Sequence, residues 1–314
     1  MLSRVADSLY WMSRYLERAE HTARLINVQL DLMLEHGSDP DDRMWARTLH
    51  SLGIESAEPD REHTVAHLLI RETSSRSSIV ACIMAARENA RQVREQISSE
   101  MWGQLNRLFH EVKRAGPGEV ADARDFLAAI KEGAHLFQGV TDSTMTHGEG
   151  WQFIQVGRFL ERAVLVSALV GVHFREFQGS LQAPAAEYLE WIGLLRSCTA
   201  FAAYCKAYTA DLQPLRIAEF LVLHPHFPHS IRFSADALET TLKQIGGDVS
   251  ERRSSRVERI AGRLRATLGF GQIDEIMSGG LHAYLDNVRR QCAQVHSALY
   301  QTYITYPIEA ALGA

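Results

Sequence analysis

The sequence predicts an all-α protein, a multi-helix bundle built from two related helical halves. Three observations lead there. Apolar residues recur in steps of three and four through long stretches without Pro or Gly. Alternating β patterns are scarce. A six-residue pattern centred on Glu-Arg occurs twice, at Arg14–Ala19 and at Arg158–Ala163, 144 positions apart (158 − 14).

The elements follow in order. Val5, Leu9, Met12, Leu16, Ala19, Ala23, Ile26, Leu30 and Met33 form one stripe on a long first helix, which Gly37-Ser38 and Pro40 stop. Long helices are also expected at 77–97, 150–177, 185–212, 230–245, 252–268 and 280–303. Shorter ones are expected at 41–51, 61–71, 101–114 and 119–137. Breakers fall between them, at 115–118, 179–184, 224–228 and Gly246-Gly247, giving a bundle with short connections.

Composition narrows the function classes. At 46% apolar and 23% charged over 314 residues, the chain has an ordinary globular make-up and enough length for one large domain or two ordinary ones. A net charge of −5 lacks the bulk basicity of a nucleic-acid binder. No apolar run approaches the ~18 residues of a membrane span, and Met1–Asp7 shows no secretory signal. Cys82, Cys198, Cys205 and Cys292 form no Cys-x-x-Cys pair. Cys198 and Cys205 read as co-helical and roughly 10 Å apart, too far for a disulfide. All four are expected to be buried thiols of a cytoplasmic protein.

The repeat extends beyond the hexapeptide. Leu9–Ala19 aligns with Phe153–Ala163 in its apolar, Arg, aromatic, Leu, Glu, Arg and Ala positions. Downstream, His67–Ile70 leading to Ser78-Ile79 parallels Glu219–Val222 leading to Ser230-Ile231. Each is a short apolar helix, a polar loop, then a Ser N-cap. Two motifs in one order suggest duplication, with halves 1–145 and 146–314 packed as one unit and the long first helices bringing the motifs together.

On a helical wheel Leu16 points to the core. Glu17 lies on its flank beside Arg14, with Tyr10, His21 and Arg24, and Arg18 lies nearly opposite Leu16. In the second copy Arg158, Glu161 and Arg162 take the places of Arg14, Glu17 and Arg18. Three readings compete. The structural one takes Arg14/Glu17 and Arg158/Glu161 as i,i+3 pairs in a buried or inter-half network, because an exposed pair contributes only ~0.2–0.5 kcal/mol. It predicts that losing either Glu destabilises the fold. In the second reading Arg forks from both halves clamp a carboxylate or phosphate. The third sees a carboxylate-bridged metal site at Glu17, Glu20 and His21. The second copy has no His, so no metal or cofactor is expected.

Arg87, Arg91 and Arg94 follow i, i+4, i+7 around Asn89 and form either a solvated or an anion-binding face. The alternating His224, His226 and His229 lack a known ligand spacing and read as loop. Trp102, Trp151 and Trp191 read as core or half-interface residues. No phosphate loop, dinucleotide fingerprint or nucleophile elbow appears.

The motifs Leu9–Glu20, Ala86–Arg94 with Trp102, Gly150–Phe153 with Gly157–Ala163, and Phe220-Leu221 with Phe227-Pro228 and Ser230 resemble, in order, the bacterial alpha-E domain family. Departures are an absent Asn-Pro-type loop near Ser74–Ser78, and His229 where Arg is expected. The resemblance implies a cytoplasmic helical protein that keeps company with circularly permuted ATP-grasp proteins and transglutaminase-like proteases. The expected role is therefore an accessory or scaffold for peptide or amide-bond formation rather than an enzyme. Arg14, Glu17, Arg18, His21, Arg24, Arg158, Glu161, Arg162, Arg87, Asn89 and Arg91 are the candidate ligand residues. The alternative is an enzyme with an inter-half site, using Glu17 and Glu161 with flanking Arg on a carboxylate or acyl-phosphate.

Overall fold

The structure, a computed structural model, describes residues 1–36, 42–54, 62–114, 123–176, 188–209, 211–246 and 251–305. The predicted breakers at 37–40, 115–118 and 179–184 lie outside these residues. Fourteen α-helices and no strands occur among the described residues. In the first part of the chain they are α1 (Ser3–His36), α2 (Asp42–Ser51), α3 (Glu62–Arg71), α4 (Ile79–Gln92), α5 (Ser99–Arg114) and α6 (Ala123–Thr144). Then follow α7 (Glu149–Glu176), α8 (Tyr188–Ser197), α9 (Phe201–Tyr208), α10 (Pro214–Leu223), α11 (Ile231–Gly246), α12 (Glu251–Gly269), α13 (Ile273–Gly279) and α14 (Leu281–Leu299).

The two longest helices, α1 and α7, form the centre and pack on each other. Helix α7 is buried nearly all round, as its apolar make-up on every face requires. Helices α4 and α6 lie against α1, and α5 packs on both. Helices α11 and α14 lie against α7, and α12 packs on both. The short helices cross over: α2 packs mainly on α7 and α8 mainly on α1. Ser78 caps α4 by accepting from the Ala81 N–H at 3.1 Å, and Ser230 accepts from the Phe233 N–H at the start of α11 at 3.0 Å.

Helices α1 and α7 cross with almost no space between them. A Cβ on Gly157 would lie 2.3 Å from the Tyr10 carbonyl oxygen and 2.2 Å from Ser13 Oγ. In the aligned motifs Gly157 stands opposite Ser13, so the crossing falls where both copies carry a small residue.

Four expectations need correcting. The predicted helix at 77–97 ends at Gln92, where Val93 turns to φ −127°, and a 3₁₀ turn follows at Arg94–Gln96. The predicted helix at 185–212 is two helices, separated at Thr199, whose φ of 54° is left-handed. Cys198 and Cys205 therefore do not share a helix; all four cysteines are free thiols, and Cys205 is only partly buried. The helix expected to end at Phe137 runs on to Thr144, and α13 was not anticipated.

Candidate functional site

The crossing of α1 and α7 places the two Glu-Arg motifs face to face, and they exchange partners. Glu17 accepts from Arg162 Nε at 2.5 Å and from Arg162 Nη2 at 3.0 Å, a two-pronged pair with both side chains buried. Reciprocally, Glu161 accepts from Arg18 Nε at 2.7 Å and from Arg14 Nε at 2.6 Å. The arginine that follows each Glu then donates to a loop carbonyl just ahead of a capped helix. Arg18 Nη1 reaches Arg76 O at 3.1 Å and Arg162 Nη1 reaches Pro228 O at 3.0 Å. The expected i,i+3 pairs, Arg14 with Glu17 and Arg158 with Glu161, do not form. The crossing brings a stronger geometry within reach than the same helix offers. Nor does Arg18 sit apart from the core, because the second long helix covers that face.

Burial alone would raise the Glu161 carboxyl, but Arg14 and Arg18 hold it below the ordinary range. Arg14 is pulled down by burial and pushed up further by Glu161. Both carboxylates are occupied by guanidinium donors: Glu17 by Arg162, and Glu161 by Arg14 and Arg18.

The polar groups around this lock divide into two sides. On one, Arg14 Nη1 donates to Tyr10 Oη at 2.9 Å, and Tyr10 Oη lies 2.7 Å from His296 Nδ1 on α14. The Tyr300 hydroxyl donates to Asp7 and accepts from Trp11 Nε1. On the other side Arg24 pairs with Glu20, and His135 of α6 lies 3.5 Å from Glu20. Burial would raise Glu20, but His135 and Arg24 depress it. His21 is pushed down to about 4 by burial and leaves Nε2 buried without a partner, as is Arg24 Nε. His229 adjoins this group and is also driven well down by burial, then by Arg162. The flank that the wheel assigned to Tyr10, His21 and Arg24 together is thus split between two sides of the molecule.

Arg158 stands out. It aligns with Arg14, but Glu17 is already taken by Arg162, and Gln138 Nε2 approaches it at 3.4 Å. Arg158 has no ion pair or hydrogen bond among the described residues, and its Nε is buried without a partner. Burial, and then Arg162, lower its guanidinium to about 10. Its guanidinium lies over the neighbouring Phe159 ring, 5.3 Å from the centroid.

The Arg87 face is not an open anion surface. Arg87 donates to Asn106 Oδ1 at 2.8 Å and stacks on Phe109 and Trp102, while Arg94 caps Ile97 O. Arg91 pairs with the exposed Glu88, and Asn89 bonds back to Ala85 O at 2.8 Å. Trp191 is fully buried, as expected, but Trp151 is not a core residue. It donates to Asp142 Oδ1 at 3.0 Å, stacks on His147 and lines a groove of about 610 Å³. No group of three or more His, Cys, Asp or Glu is placed to hold a metal among the described residues. The sequence did not single out His135, Gln138 and Asp142, which repeat at three- and four-residue steps along α6; that polar stripe was the available signal.

A family described as “a predicted alpha-helical domain with a conserved ER motif” matches residues 1–304. Similar proteins, each named only as uncharacterised, occur in Mycobacterium bovis and in two strains of Mycobacterium tuberculosis. Each is 25% identical over 94% of this chain, and the chain spans only 35% of each relative's length. No solved structure matches.

Proposed function

The chain belongs to the Alpha-E family, and from that membership we propose that it is a helical accessory or scaffold domain of a cytoplasmic amide-bond-forming system. Its partners are a circularly permuted ATP-grasp protein and a transglutaminase-like protease. It acts by protein–protein contact and holds an anionic ligand beside the Glu-Arg lock. The observation that carries this is the relatives' length: the matched region fills 35% of each, so there the domain is covalently joined to a larger body of other sequence. A domain that works alongside another polypeptide is expected in such an arrangement. The occupied carboxylates agree with it, because Glu17 and Glu161 are committed to guanidinium groups.

The same proposal takes residues 1–145 and 146–314 as two copies of one helical unit. The reciprocal ion pairs, the matching donations to Arg76 O and Pro228 O, and the two Ser caps support it.

Affinity purification of the tagged chain from its own cells, with mass spectrometry, tests the function. The proposal expects a stoichiometric ATP-grasp protein whose ATP hydrolysis rises severalfold on adding the chain. Recovery of the chain alone, already turning over a bound metabolite, contradicts it.

A further inference from the structure

Helix α12 buries Val257, Ala261, Leu264 and Leu268 and packs on α11 and α14. At ~100° per residue, Arg256, Arg259, Gly262, Arg263 and Ala266 fall on the opposite side, within one arc of about 120°. The three arginines and Ala266 are exposed, and Gly262 is half-buried.

This face is basic in an acidic chain. Residues 256–299 hold six arginines and four carboxylates, +2 (6 − 4), against −5 for the whole. The carboxylates of the helices packed on α12 are engaged away from it: Asp236 pairs with Arg265, Glu239 with Lys243 and Asp286 with Arg289. Glu258, on the flank, is the one carboxylate in 256–269, so three outward arginines stand against one acid, +2 (3 − 1).

Gly262 is the second observation. A glycine inside a helix costs stability relative to alanine, and a Cβ here would meet nothing within 4 Å. Packing within the chain therefore gives no reason for a glycine at this position. Gly103 and Gly139 are the other mid-helix glycines among the described residues with the same open space. Gly139 has no arginine within four residues and Gly103 has one, Arg107, whereas Gly262 has Arg259, Arg263 and Arg265.

The crossing of α1 and α7 shows what this combination does. There Gly157 lets two backbones close up, and Arg162, five residues on, reaches the Glu17 carboxylate of the opposite helix. Gly262-Arg263 repeats Gly157-Arg158 on a face that no described helix covers.

We propose that the outer face of α12 docks an acidic α-helix of a partner polypeptide, whose backbone closes on Gly262 and whose carboxylates take Arg256 and Arg263. The relatives favour a polypeptide: the matched region fills 35% of each, so there it is joined to other sequence. The overall charge of −5 disfavours nucleic acid. Asp274 and Glu275, close after the exposed Phe270, would repel an anionic lipid surface. The proposal rests on the protein-contact half of the function proposed above and is independent of the partner's identity.

The probe is a synthetic Ala-rich helical peptide with Glu in a three-and-four-residue repeat about a central Gly. It is titrated into the full chain by fluorescence anisotropy, beside its Gln counterpart, duplex DNA and phosphatidylserine vesicles. The acidic peptide is expected to bind, less tightly as salt rises, and the Gln peptide at least tenfold more weakly. Arg256→Glu with Arg263→Glu should weaken the acidic peptide at least tenfold and bind a Lys version of it instead. Gly262→Ala separates contact from stability: it should melt no lower than the wild type yet bind the acidic peptide at least threefold more weakly. Gly262→Leu should abolish binding. Equal binding of the acidic and Gln peptides, no binding of either, binding that survives the arginine pair or Gly262→Leu, or tighter binding of DNA or vesicles would overturn the proposal. If the arginine double variant loses the peptide but still recovers the ATP-grasp protein from cells, this face is overturned and the accessory role stands. If the wild-type chain binds the peptide but is recovered alone, the accessory role fails and this face stands.

Discussion

At the scale of single residues, the account turns on what each side chain loses when its partner goes. Glu17→Ala strands Arg162, and Glu161→Ala strands Arg14 and Arg18. Removing one partner of a buried pair costs about 3–5 kcal/mol, so both variants should show that loss in urea unfolding. Gly157→Ala should cost about 1–3 kcal/mol, the range for overpacked interiors. Adding Ser13→Ala should not restore it, because the Tyr10 carbonyl oxygen stays 2.3 Å from the new methyl. His21 supplies a pH test. Its folded pKa of about 4 lies below its ordinary 6.5, so the unfolded chain takes the proton first as pH falls. Stability is therefore lost between pH 6.5 and 4, by about 3 kcal/mol in total at 1.36 kcal/mol per unit. His21→Gln should show a smaller loss across that window than the wild type. The importance of Glu17 and Glu161 was legible from the repeated motif. Their partners were not, because a helical wheel gives the direction of a side chain and not the helix it meets.

At the scale of elements, the helices were legible wherever a capping residue or breaker agreed with the periodicity. Ser78 and Ser230 are examples: the repeat and their N-cap chemistry pointed to the same place. Ser230 also donates to His224 O at 2.5 Å, so Ser230→Ala should cost more than the ~1 kcal/mol typical of a lost cap. The break between α8 and α9 was not legible. Apolar spacing continues through 194–204, and the turn is made by Thr199 rather than by Gly or Pro. A β-branched residue at φ 54° is strained, and Thr199→Gly should raise stability by about 1 kcal/mol, measured by thermal melting. A fall in melting temperature would show that the Thr199 hydroxyl, which donates to Cys198 O at 2.6 Å, outweighs the strain.

At the scale of the whole molecule, two long helices meet at a small-residue crossing and exchange ion pairs, and the remaining helices pack around them. That arrangement explains why the Glu-Arg pattern occurs twice: each copy supplies the anion for the other's cation. It also leaves the two motifs with different neighbours. Tyr10 and His296 complete the surroundings of Arg14, whereas Ile154 stands at the Tyr10 position beside Arg158. The groove beside Trp151 was hidden in the sequence because its walls come from α7, α11 and Pro225, far apart along the chain. The departure at His229 was legible, and the structure places it in this polar group.

The most direct test is a set of double-mutant cycles by urea unfolding across the crossing. Alanine cycles for Glu17 with Arg162 and for Glu161 with Arg18 should each give a coupling of at least about 1 kcal/mol, the mark of residues in contact. The same-helix cycles, Arg14 with Glu17 and Arg158 with Glu161, should be additive. Additive cross-helix cycles, or coupling confined to the same-helix pairs, would contradict the reciprocal lock.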